Sequence, residues 1–228
     1  MTLQPGDEFC KDSVYEYDES AVRALISAVS EERFAKYLSS AGGDEARALQ
    51  FYTRNIALGA AFHGPLQTLE VTLRNAVHGA MTTTYGTRWI ENAPLRPTER
   101  RRVDEFVKQL KRDGHPRTPG RLIAASTFGL WVALFAKAYD ATLWRAALHS
   151  VFDGNMARSD VHQQLDRLRT LRNRIVHHEP IMQRRLSDDH ERILSLLRAL
   201  SPPTAAWVAH HSRVPGVLAE SSLQITRF

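Results

Sequence analysis

Arg172, Asn173 and His177 stand in the run Arg172-Asn173-Arg174-Ile175-Val176-His177, an arginine and a histidine separated by four residues. An imidazole both takes and gives a proton near neutral pH. A guanidinium forks onto a phosphate through parallel N–H donors. Together these groups could cleave RNA without a metal: a base removes the ribose 2′-OH proton, an acid protonates the departing 5′ oxygen, and cations stabilise the charged phosphorane. On an ideal helix Arg172 and His177 lie about 140° apart and ~7.5 Å along the axis. They do not stack, but two long side chains can converge on one phosphate-sized object. His178 offers a competing register one residue on. Taken alone, an Arg-x4-His pattern is far more often a plain amphipathic helix with a solvated basic face, because two fixed residues match by chance.

The element that must position these groups runs from Ser159 to Pro180. Val161, Leu165, Leu168, Leu171 and Ile175 recur every three or four residues, the spacing of one buried helical face. Ser159 or Asp160 is expected to cap its start. Pro180 disfavours helical geometry at Glu179, so the helix is expected to end about there. Arg169 and Arg174, on the same element, are candidate RNA contacts. Upstream, Glu70 and Arg74 lie one turn apart on a helix expected over 66–82, after an interruption at Gly64-Pro65. They are expected to form at least an i,i+4 pair worth about 0.3 kcal/mol. A supporting role is the alternative: Glu70 orienting Arg74 or Arg172, and Arg74 adding charge near the phosphate.

The rest of the chain reads as helical. Asp44 is suited to capping a long helix, Thr98 to starting a charged one, and Thr127 to Phe135 is an apolar run expected to be a buried helix. Helices are also expected over 140–152 and, capped by Ser187-Asp188, over 187–200. Few period-two segments occur, so the expected fold class is all-α. Residues 1–16 are expected to be a loosely ordered lead-in, 17–210 one domain, and 211–228 a mobile tail.

Thirty Lys+Arg residues against twenty-five Asp+Glu leave a formal net charge of +5 and a pI near 9.6, which mildly favours an anionic partner. Only five of the basic residues are lysines. Cys10 is the single cysteine, so neither an intrachain disulfide nor a cysteine-based metal site can form. The eight histidines outside the 177–178 pair are scattered, without a metal-binding spacing. No cofactor is expected. The first residues, MTLQPGDEF, lack a basic segment followed by an apolar run, so no signal peptide is expected. No apolar stretch is long enough to span a bilayer. A reduced cytoplasmic setting without membrane contact is therefore expected.

Three segments carry a family resemblance: LEVTLRNAV (Leu69 to Val77), TFGLWVALF (Thr127 to Phe135) and LRTLRNRIVHHEPI (Leu168 to Ile181). In order and spacing they resemble the Abi-like, abortive-infection branch of the HEPN ribonuclease superfamily, over roughly residues 30–207. RNRIVHHEP resembles the superfamily's RN-x3-H signature. The resemblance implies a HEPN-like helical bundle with additional helices. It implies a homodimer with a composite ribonuclease site where two Arg-x4-His helices meet. It implies a phage-defence toxin, with RNA as substrate and an antitoxin or another defence-system protein as partner. Carried over by residue, Arg172 would contact the phosphate, Asn173 would be the polar residue beside it, and His177 would be the catalytic histidine. Some family toxins have a tyrosine two residues after the histidine, modified by a partner nucleotidyltransferase; Glu179 stands there, against that mode of control.

Overall fold

Asp18 and Ser30 open the first two helices of a computed structural model that describes residues 17–220 and 223, except 117 and 155. The expected lead-in at 1–16, with Cys10, lies outside the described residues. The Asp18 carboxylate accepts from the Ser20 and Ala21 N–H groups at 2.9 Å and starts α1, Glu19–Val29. Ser30 Oγ caps α2, Glu31–Ser40, by accepting from the Arg33 N–H at 3.4 Å. Asp44 caps α3, Glu45–Tyr85, as expected, by accepting from the Arg47 N–H at 2.9 Å.

Helix α3 is continuous through Pro65, so the expected break at Gly64-Pro65 does not occur. Proline denies the carbonyl four residues back its partner. Here Pro65 is buried on the same face as Leu58, Phe62, Leu66, Leu69, Leu73 and Val77. The packing of that stripe outweighs the lost hydrogen bond.

Trp89 and Ile90, buried in the single turn α4 (Trp89–Asn92), precede α5 (Pro97–Arg112) and α6 (Pro119–Ala125). The apolar run at 127–135 forms only a short helix, α7, Phe128–Ala133. Residues 140–152, expected as one helix, instead fall in a stretch of successive 3-10 and π turns over 137–151. Their irregular backbone buries Tyr139, Leu143 and Leu148 at once, which one helical stripe would not do. Helix α8, Arg158–Val176, starts one residue before the expected cap, with no side-chain cap, and the Arg158 guanidinium instead donates to the Phe135 carbonyl at 2.7 Å. Helices α9 (Leu186–Leu200), α10 (Pro202–His211) and α11 (Val214–Ala219) complete the described chain. Ser187-Asp188 does not cap α9, which begins at Leu186 without a side-chain cap. Within the expected tail at 211–228, residues 214–219 form α11, with Val214 and Val217 buried and Arg54 donating to the Val217 and Leu218 carbonyls; residues 221, 222 and 224–228 lie outside the described residues.

Among the described residues every regular element is helical, in agreement with the all-α expectation. Helix α3 is the spine. One core gathers its C-terminal two-thirds with α4 to α11; a smaller one joins α1, α2 and the first turns of α3 through Val22, Phe34, Tyr37, Ala48 and Leu49. Met182, just after α8, packs against both cores. It ties the α1–α2 layer to the C-terminal end of α8. Among the described residues no helix is long and apolar enough to cross a membrane.

A candidate active site at the end of α8

Val161, Leu165, Leu168 and Leu171 are fully buried, so the seam read from the spacing is the face that α8 presents to the core. The opposite face and the last turn remain accessible. The helix ends at Val176, three residues before the expected end, because a Schellman motif closes it ahead of Pro180. His178 N donates to the Ile175 carbonyl at 3.0 Å, and Glu179 N to the Arg174 carbonyl at 2.8 Å. That motif needs a left-handed residue after the cap, usually glycine. His178 fills it at φ 56°. The apolar contact that often closes such a motif is replaced by an ion pair, Arg174 Nε to Glu179 Oε2 at 3.8 Å.

Asn55 holds the segment that follows. Its Oδ1 accepts from the Ile181 N–H at 2.8 Å and its Nδ2 donates to the Glu179 carbonyl at 3.3 Å. It is one of the few polar side chains buried in the core. Sequence reasoning passed over it. The available signal was a polar residue on an apolar stripe, seven residues after Ala48, three before Leu58 and seven before Phe62.

The predicted residues fall into two groups. His177 is the C-cap residue of α8, exposed and turned toward α2. It lines an open hollow of about 410 Å³ with His178 and Glu179 on one wall and Ser30, Arg33 and Lys36 on the other; Glu32 also borders it. A neighbouring hollow of about 470 Å³ is bordered by Lys36, Tyr37, Ser40, Arg174, Glu179 and Gln183. Burial pushes the Tyr37 hydroxyl up to about 12, with Tyr52 adding to the rise and Arg33 opposing it.

Arg172 turns instead toward α3, where its Nε lies 3.9 Å from Glu70 Oε2. Burial raises the Glu70 carboxyl above the ordinary value; Arg172 and Arg74, and the Phe128 N–H at the start of α7, pull the other way. Glu70 is thus where the three segments Leu69 to Val77, Thr127 to Phe135 and Leu168 to Ile181 meet. Arg74 is half-buried, and its Nε has no hydrogen-bond partner. Arg169 forks onto Asp166 within α8, at 2.9 and 2.7 Å, and its Cδ lies 3.8 Å from where a Gly129 side chain would begin. Asn173 is half-buried, and its carbonyl accepts from the His177 N–H at 2.9 Å. Arg172 and His177 therefore face different neighbours within one copy of the chain.

No family model, no curated protein and no solved structure matches the chain.

Proposed function

We propose that the protein is a metal-independent endoribonuclease of the HEPN type, an abortive-infection toxin acting in the cytoplasm as a homodimer. The observation that carries this reading is the setting of His177. It is an exposed proton-transfer group beside cationic side chains, on a helix whose other face is wholly buried. Such anchoring holds an acid–base group at fixed position. One imidazole takes the 2′-OH proton, the 2′ oxygen attacks phosphorus, and the departing 5′ oxygen receives a proton. The products are a 2′,3′-cyclic phosphate and a 5′-hydroxyl. The same imidazole, protonated in the first step, returns that proton to the 5′ oxygen, acting as base and then as acid. Arg172, turned away from its own His177, serves the phosphate at the partner copy's histidine. Asn173 lies beside it, and Glu70 orients it. An antitoxin or another defence protein would hold the enzyme silent.

A second reading is favoured by the Arg172–Glu70 pair: with that guanidinium partly neutralised, the surface would bind RNA or a protein partner without cutting it. One experiment separates the two. Purified protein is incubated with total RNA in excess chelator and the new ends are mapped. Cyclic or 3′-phosphate ends, lost in His177→Ala protein that stays folded, are expected. Intact RNA, or cleavage abolished by chelator, would overturn the nuclease reading.

A further inference from the structure

Helix α2 carries no part of the Arg-x4-His pattern, yet it supplies the wall opposite His177. Arg33 and Lys36 are both exposed, one turn apart, and both line the 410 Å³ hollow that holds His177. Lys36, Glu179 and Pro180 also border the 470 Å³ hollow, so the two hollows adjoin along that shared wall. The second hollow is bordered by Arg174, Ser40 and Gln183, which carry donors and acceptors, and by Tyr37, whose buried hydroxyl has no hydrogen-bond partner. Volumes of this size suit small-molecule-sized groups. Two acids border the path: Glu179, engaged by Arg174, and Glu32. Three cations face them.

Backbone conformation marks the same place. Among the described residues only Ser30, at φ 82°, and His178, at φ 56°, are non-glycine residues with positive φ, and both line the His177 hollow. Left-handed backbone at a non-glycine residue is costly and persists only where the surrounding structure over-determines it, here at the start of α2 and the end of α8. Ser30 turns the chain so that α2 starts directly from α1, bringing Arg33 and Lys36 to the end of α8. The C-terminal end of α8 and the N-terminal end of α2 thus meet across the hollow.

We infer that Arg33 and Lys36 are the in-cis phosphate contacts of the RNA site, and that the adjoining hollow of Tyr37, Ser40, Arg174 and Gln183 receives the neighbouring nucleotide. The inference rests on the ribonuclease reading for the identity of the ligand, while the binding itself is measured separately. The two cations hold the phosphodiester at His177, and Arg172 reaches it from the second copy.

The test uses the full chain with His177→Ala, so that RNA stays intact, and a fluorescent single-stranded RNA whose binding is followed by anisotropy across a salt series. Adding Arg33→Ala and Lys36→Ala should weaken binding about tenfold and reduce the slope of log affinity against log salt by about 1.4, two phosphate contacts' worth on a single strand. Arg101→Ala with Arg102→Ala, an equal charge loss on the exposed face of α5, should change both far less. Equal losses from the two pairs, no loss from the α2 pair, or no RNA binding by the parent would each overturn the inference. In otherwise wild-type protein, the α2 pair should also slow RNA cleavage. If the wild type cuts no RNA but its binding depends on Arg33 and Lys36, the nuclease reading fails and the α2 site stands.

Discussion

His177 and His178 are neighbours with different work. The backbone of His178 supplies the left-handed residue that ends α8, whereas His177 presents its ring to the α2 hollow without that constraint. Glycine adopts the left-handed conformation without steric penalty, an advantage of about 1–2 kcal/mol partly offset by its greater unfolded-state entropy. His178→Gly should therefore stabilise the protein by about 0.5 kcal/mol in urea denaturation while RNA cleavage persists. A clear loss of cleavage in that variant would move the proton-transfer role to His178. Glu70 makes a second prediction at this scale. Its carboxyl is raised by burial, so its contribution to stability is present below the ordinary value of 4.5 and is lost as pH rises through the raised value. Glu70→Gln removes this dependence. The variant should gain stability relative to wild type as pH climbs from 4 through that window, read as a widening gap in urea midpoints. A gap that narrows would mean that the Arg172 and Arg74 charges dominate over burial.

The elements explain why a helix end can serve as a site. Helix α8 is fixed along its length by Val161, Leu165, Leu168 and Leu171, and after its last turn by Asn55 on α3. Asn55→Ala leaves the buried Ile181 N–H without its acceptor, a loss of about 1–3 kcal/mol. It also frees the segment that carries Glu179 and Pro180. The variant should show a lowered denaturation midpoint and a larger fall in RNA cleavage than the stability loss accounts for at a temperature where it remains folded. Unchanged cleavage would separate the anchoring of this segment from the chemistry.

On the scale of the whole molecule, the orientation of Arg172 away from its own His177 bears on assembly. If each histidine works with the partner copy's arginine, Arg172→Ala and His177→Ala proteins, each inactive alone, should regain RNA cleavage when unfolded and refolded together. One site of each mixed dimer then keeps both groups. No recovery, in a mixture shown by sedimentation to contain dimers, would place all the chemistry within one chain. Val71, next to Glu70 on α3, and Val176, one turn beyond Arg172 on α8, are exposed and would be covered in such an assembly. Placing charge at either, as in Val176→Asp, is the simplest way to weaken it.

The helical class, the cap at Asp44 and the buried seam of α8 were legible from residue order alone, because helix geometry converts spacing directly into a face. Arg172, Asn173 and His177 could be nominated in the same way. What spacing could not reveal was set by contacts between residues far apart in sequence. Helix α3 runs unbroken through Pro65 because the stripe on either side is buried, and residues 137–151 give up regular helix to bury three side chains at once. The Val214–Ala219 helix packs against α3 and α9 instead of trailing away. At the site, tertiary structure decided that Arg172 meets Glu70 while His177 meets Arg33 and Lys36. Local sequence sets which groups share a helix, but only the packing of α2 and α3 around the end of α8 decides which of them share a cleft.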